Sequence, residues 1–180
     1  MSKSVIRKGV FETNSSSVHS ICIAKKNVTG YKGEHVDFYL GEYGWEFGSA
    51  SPADYLYTAI MCQPDGEELL DKLKSILDEK GITYSFQPIN KTNGYMRYGG
   101  IDHSYDTRNF VGAVLSDKDM LMRYLFNPDT SVYTGNDNSG GFERFEHCYQ
   151  GYTRAWDDDD NDIPNPYHDE TKFDYFVKGN

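Results

Sequence analysis

Residues 4–25 read SVIRKGVFETNSSSVHSICIAK, and this stretch decides how the chain begins to fold. Residues 4–12 and 17–25 are both rich in β-branched side chains, which favour strands. The TNSS segment at 13–16 between them is typical of a turn. The pattern therefore predicts an N-terminal β-hairpin. Alternation along its second strand predicts one face made of His19, Ile21 and Ile23.

Three helices and several short strands are expected after the hairpin. The helices are marked by capping residues or by a terminating Gly or Pro, and they begin near Ser51, Asp65 and Ser116. The strands are marked by alternating or β-branched side chains, and they lie at 35–40, 82–87, 95–98, 130–134 and 173–177. The aromatic spacing at 142–152 fits either a helix or a strand. The predicted fold is α+β, with the hairpin and a mixed or antiparallel sheet packed against about three helices.

The charge of the chain is divided unevenly. Residues 1–32 carry six Lys and Arg side chains and one Glu, which gives +5, whereas residues 33–180 carry 12 basic and 27 acidic side chains, which gives −15. We therefore distinguish a basic N-terminal segment (1–32) from an acidic body (33–180) within a single compact domain. The basic segment should attract phosphates, and the acidic body could enter a basic channel on another protein. An acidic body that only keeps the protein soluble is the alternative.

Three features indicate a cytoplasmic protein. No apolar run is long enough to span a membrane, and the charged N-terminus lacks the apolar core of a secretory signal. The three cysteines are far apart and match neither a zinc-binding spacing nor a disulfide framework. We therefore expect reduced thiols and no contact with a membrane.

No motif of a familiar enzyme class is present, whether a phosphate-binding glycine loop, a GxSxG elbow or an HExxH pair. The acidic run at 157–160 lacks the alternating ligands and the glycine of a calcium loop. We therefore expect no metal, no other cofactor and no small-molecule ligand. His19 follows three serines and lies near Arg7, so it is a candidate for metal-free RNA chemistry. His103, between Asp102 and Asp106, is the other candidate centre. Hydroxyls that only satisfy backbone groups of a turn are the structural alternative.

The basic side chains of the N-terminal segment are the candidate RNA contacts. They lie along or near the ends of the predicted hairpin, and no core periodicity requires them: Arg7, Lys8, Lys25 and Lys26. Lys and Arg that neutralise phosphates supply most of the sequence-independent affinity for nucleic acid.

Residues 7–20, RKGVFETNSSSVHS, resemble the N-terminal region of a group of type II-A anti-CRISPR proteins from Firmicute phages and mobile elements. The match covers about 20 of the 180 residues, and FETNSSS is its specific part. The resemblance implies that the protein inhibits a type II-A CRISPR nuclease by interfering with guide RNA loading. A second implied activity is truncation of the guide RNA that depends on the nuclease. The implied partners are that nuclease and its guide RNA, and no autonomous catalysis is expected.

Two other functions fit the sequence. A small phage ribonuclease or nucleotide-modifying enzyme would use His19 or His103 and would act on RNA without a partner. An interaction module of a mobile element would bind another host protein, and it would bind neither RNA nor the CRISPR nuclease.

Overall fold

The computed structural model describes residues 17–44, 48–89, 91–92, 95–96, 100–101, 107–136, 154–156, 162–165 and 168–178. Within these ranges the chain forms four helices: α1 (Pro52–Met61), α2 (Gly66–Lys80), α3 (Arg108–Ser116) and α4 (Lys118–Phe126). The same ranges contain twelve strands: β1 (Ser17–Ala24), β2 (His35–Phe38), β3 (Glu42–Tyr43), β4 (Gly48–Ser49), β5 (Thr83–Phe86), β6 (Lys91–Thr92), β7 (Tyr95–Met96), β8 (Gly100–Ile101), β9 (Ser131–Asn136), β10 (Arg154–Trp156), β11 (Asp162–Pro164) and β12 (Phe173–Lys178). Helices and a largely antiparallel set of strands in one chain confirm the predicted α+β class.

The main sheet has the strand order β12-β1-β9-β4, and its pairs are antiparallel. β1 pairs with β12 along His19–Ala24 and with β9 along Ser17–Cys22. The central strand thus comes from the N-terminal half of the chain, whereas the strands beside it come from the C-terminal half. Strands β9 and β12 confirm the predictions at 130–134 and 173–177.

The predicted N-terminal hairpin is described in its second strand only. That strand is present as β1, and along His19–Cys22 it pairs with β9 on one edge and with β12 on the other. The first strand of the predicted hairpin, residues 4–12, lies outside the described residues.

Helix α1 lies at the centre of the core. Its N-terminus has the predicted cap, since the Ser51 hydroxyl accepts from the Asp54 amide at 3.5 Å and Pro52 follows the cap. Its buried side chains face the sheet on one side and the other helices on the other: Tyr55, Leu56, Tyr57, Ala59 and Ile60. Burial of several large side chains, each contributing roughly 1.5–3 kcal/mol, makes α1 the main hydrophobic anchor of the fold.

The other helices show where local signals succeed and where they fail. Helix α2 ends at Gly81, whose φ of 73° is left-handed, as the sequence predicts. The predicted third helix is α4, capped by Asp117, whose carboxylate accepts from two backbone amides. Helix α3 was not predicted, because its N-cap Thr107 makes no capping hydrogen bond and Gly112 interrupts its apolar pattern.

A parallel pair of strands, β2 and β5, packs against α1 and α2. β2 and β5 pair in register from His35↔Thr83 to Phe38↔Phe86, and they confirm the predictions at 35–40 and 82–87. The chain between them contains α1 and α2, as a parallel connection requires. The Phe38 and Phe86 rings stack at 4.6 Å and bind this pair to the core. Among the described helices, none is long and apolar enough to cross a membrane.

Candidate functional site

His19, the catalytic candidate, lies inside the protein. Its side chain has no exposed surface, and its Nδ1 lies 2.7 Å from the hydroxyl of Tyr55 on α1. The two rings also meet edge to face, with centroids 5.5 Å apart. Burial raises the pKa of the Tyr55 phenol, which therefore keeps its proton. This environment favours a structural role for His19, since a buried imidazole cannot reach an RNA phosphate.

Lys25, a candidate RNA contact, is used to hold the fold together. Its ammonium donates to the carbonyl of Glu170 at 2.7 Å and lies 3.5 Å from a carboxylate oxygen of Asp174. Its backbone amide donates to the carbonyl of Lys172 at 2.7 Å. Lys25 thus joins the end of β1 to the turn that precedes β12, and its charge is partly compensated there.

Lys26 is better placed than Lys25 to contact RNA. Its residue is exposed, and its backbone carbonyl accepts from the Asn127 side-chain amide at 2.8 Å, which fixes the chain beneath it. In the described part of the chain, its ammonium forms no ion pair. Arg7 and Lys8, the other two candidate contacts, lie outside the described residues, and so does His103.

The structure separates the parts of the predicted RNA site. Ser17 opens β1, whereas Lys25 and Lys26 follow its last residue, Ala24. A strand rises about 3.3 Å per residue, so roughly 25 Å lies between Ser17 and these lysines. Ser17 and the two lysines therefore lie at opposite ends of the central strand.

A polar cluster on the exposed side of β2 and β5 was not singled out from the sequence. His35 contacts the Thr83 hydroxyl through Nδ1 at 2.9 Å and an Asp37 carboxylate oxygen through Nε2 at 3.2 Å. The Ser85 hydroxyl donates to the same oxygen of Asp37. These contacts follow from the register of the two strands, which sets His35 opposite Thr83 and Asp37 opposite Ser85.

The neighbours of Asp37 favour the ionised form of its carboxyl group. The hydrogen bond from Ser85, followed by that from His35, lowers the pKa of Asp37 below its usual value. Both hydrogen bonds end on Oδ1, and among the described residues Oδ2 accepts none. Asp37 therefore presents one oriented acceptor on an exposed strand.

A hydroxyl, an imidazole and a carboxylate in this order also form the catalytic triad of enzymes that use a serine or threonine nucleophile. Here, however, the Thr83 hydroxyl donates to the carbonyl of Glu34 at 3.1 Å, so that proton is already engaged. A cavity at the start of α2 and another between β1, β12 and α3 both lie elsewhere, and neither is lined by these residues. The cluster is therefore better suited to binding than to covalent catalysis.

Two of the cavities in the described regions bear on ligand binding. One, of about 190 Å³, lies where β1 and β12 meet the start of α3 and is lined by Ile21, Tyr55, Phe110 and Val177 among others. It is smaller than the roughly 300–1,000 Å³ typical of ligand pockets. The other, of about 320 Å³, surrounds the start of α2 and is polar, with Asp65 and two glutamates in its wall.

In the described part of the molecule, no group of three or more His, Cys, Asp or Glu side chains could hold a metal ion.

Comparisons of the chain with protein-family models, with curated proteins and with solved structures give no match. The functional assignment therefore depends on the residues themselves.

Proposed function

We propose that this protein is an anti-CRISPR inhibitor that interferes with guide RNA loading of a type II-A CRISPR nuclease in the cytoplasm of a bacterial host. The observation that carries this proposal is the stretch at 7–20, with FETNSSS at its centre. The charge division supports it, because a basic segment can meet RNA while an acidic body meets the positively charged channel of the nuclease.

The structure divides this stretch into two parts with different explanations. His19 and Ser20 are buried in the central strand β1, so packing alone accounts for them. Residues 7–16 lie outside the described residues. They include the basic pair Arg7 and Lys8 and most of the FETNSSS string, and we therefore assign recognition to them.

Binding without autonomous catalysis fits the position of His19. A general base must come within hydrogen-bonding reach of the proton that it removes. His19 instead contacts Tyr55 in the core. Any truncation of the guide should therefore depend on the CRISPR nuclease.

The test is an order-of-addition experiment with purified components. The protein is added to the nuclease before or after the guide, and target DNA cleavage is measured beside a denaturing gel of the guide. We expect strong inhibition only when the protein precedes the guide, with an intact guide when the nuclease is left out. Equal inhibition of the preassembled complex would contradict competition for loading. Cleavage of naked guide by the protein alone would support the ribonuclease alternative instead.

Charge reversal locates the surface that acts on the guide. The double substitution Arg7→Glu, Lys8→Glu should abolish interference, and Lys26→Glu should weaken it, because each lost phosphate contact lowers RNA affinity and the salt dependence of binding. Lys72→Glu on the exposed side of α2 is the matched control and should retain full activity. Melting temperatures near that of the wild type would show that the variants fold. Full activity of the Arg7/Lys8 variant would exclude the basic segment as the active surface.

A further inference from the structure

The exposed side of the β2–β5 pair has an unusual combination of side chains. We call it the His-Asp-Tyr face; it consists of His35, Asp37 and Tyr39 with Thr83 and Ser85 beside them. The side chains of His35 and Asp37 are 51% and 47% exposed, and Tyr39 is 55% exposed. Among the described residues, Tyr39 is one of two large apolar residues with so much surface in solvent.

Tyr39 is held in place although its ring is exposed. Its backbone amide donates to a carboxylate oxygen of Asp54 at 2.8 Å. The next amide, of Leu40, donates to the Gln87 side chain at 2.8 Å. Alternation along the extended chain puts Tyr39 on the same side as Asp37, with about 7 Å between their Cα atoms. Because Asp37 and Tyr39 are exposed while Phe38 between them is buried, the ring and the carboxylate face the same side of the chain.

The charge around this face is mainly negative. From Gly33 to Asp54 the chain has five Asp and Glu residues and no Lys or Arg. Lys32 is an exposed cation just before this stretch, and its side chain lies against Gly81. Asp37 and Asp54 lie at the face, and Glu34 and Glu42 are exposed on either side of it along the chain. Such a potential attracts cations and repels phosphates. A nucleic acid is therefore a poor occupant of this face, and a basic protein surface is a good one.

We propose that the His-Asp-Tyr face is a docking site for an arginine side chain on a basic partner protein. A guanidinium group can donate to Oδ2 of Asp37 while its plane stacks on the ring of Tyr39. Because Ser85 and His35 already occupy Oδ1, the carboxylate is oriented before the partner arrives, which lowers the entropic cost of binding. A lysine offers the charge without the planar stacking surface, so the site should prefer arginine.

This inference goes beyond the proposed function, because it requires neither guide RNA nor the CRISPR nuclease. It can therefore be tested on the full-length protein alone. The probes are a capped oligoarginine peptide, a capped oligolysine peptide of the same length and a single-stranded oligonucleotide. The readouts are the affinity and the amide shifts in NMR spectra of isotope-labelled protein, all at one ionic strength.

We expect oligoarginine to shift the amides of β2 and to bind more tightly than oligolysine. Asp37→Asn and Tyr39→Leu should each weaken oligoarginine binding about tenfold, because each removes one half of the arginine contact. Glu68→Gln is the matched control, since it removes one exposed negative charge from α2 and leaves this face intact. Its affinity should change less than about twofold, as expected for a remote charge screened by salt.

Three results would overturn the proposal. Equal weakening by Glu68→Gln would show that the peptide responds only to the overall negative charge. Equal binding of both peptides, with no effect of Tyr39→Leu, would remove the arginine-specific contact. Shifts of the β2 amides by the oligonucleotide but not by oligoarginine would make this face a nucleic-acid surface. Both variants alter exposed side chains, so melting temperatures near that of the wild type should exclude unfolding as the cause.

Discussion

Two histidines on two strands show how differently the same residue type is used in this protein. His19 lies on β1, a central strand with neighbours on both edges, and has no exposed surface. His35 lies on β2, in a two-stranded parallel pair, and half of its side chain is in solvent. Each has a hydroxyl partner, Tyr55 for His19 and Thr83 for His35. The position of the strand within the fold decides which histidine supports the core and which can meet a partner.

Substitution of the buried histidine should have the largest effect on stability. His19→Ala removes a buried ring and its hydrogen bond to Tyr55, so we expect a loss of about 3 kcal/mol. For a protein of this length that corresponds to a melting temperature lower by roughly 10 °C. Thermal and urea denaturation measure both quantities. If His19→Ala kept wild-type stability but lost interference with the guide, His19 would act directly on function. The contrast between a structural His19 and an exposed His35 would then be wrong.

The hydrogen bond can be separated from the packing. Tyr55→Phe keeps the ring, which also packs against Tyr43 and Phe110. It removes the hydroxyl that lies 2.7 Å from Nδ1 of His19, and we expect a loss of about 1 kcal/mol in a urea titration. The double variant with His19→Ala should lose less than the sum of the two single changes. Simple additivity would mean that this contact contributes nothing to stability.

The exposed histidine should be far more tolerant. His35→Ala removes two contacts on the surface, with Thr83 and with Asp37, and the free energy of unfolding should change by no more than about 0.5 kcal/mol. Urea denaturation under the conditions used for His19→Ala provides the direct comparison. A loss as large as that of His19→Ala would show that the β2–β5 pair depends on this surface contact.

Local signals were sufficient for much of the fold. The cap at Ser51, the terminating Gly81 and the alternation at 82–87 each depend on neighbours in sequence, and each predicted its element correctly. The described partners of β1, in contrast, are more than one hundred residues away along the chain. A turn signal at 13–16 carries no information about partners so distant, so the central position of β1 in the sheet was not predicted.

The site was harder to predict for the same reason. Alternation at 35–40 puts Val36 and Phe38 on one side of the strand and His35 and Asp37 on the other. What the sequence lacked was the pairing of β2 with β5, which brings Ser85 to Asp37 from 48 residues away. The alternation along 17–25 put His19 on the face of Ile21 and Ile23, but it carried no information about the partner Tyr55, which lies 36 residues away along the chain.

The smallest expected effect is a change in the pKa of the Asp37 carboxyl group on the exposed face. Its pKa lies below the ordinary value of 3.8, mainly because Ser85 donates a hydrogen bond to it and secondly because of His35. Ser85→Ala removes the larger cause, so the pKa should rise towards the ordinary value.

The sign of the linked effect on stability follows from that shift. A carboxyl whose pKa is lowered by folding stabilises the protein at and above its ordinary pKa, and this contribution is lost as the pH falls below 3.8 towards the lowered value. Ser85→Ala should therefore flatten the acid limb of stability against pH. The pKa is measured from the carboxyl carbon shift of Asp37 during an NMR pH titration. Thr83→Ala is the matched control, since that hydroxyl contacts His35 and not Asp37, and it should shift the midpoint less than Ser85→Ala does. Identical midpoints for Asp37 in the wild type and in Ser85→Ala would mean that Ser85 does not orient this carboxylate, and the preorganised acceptor on β2 would lose its basis.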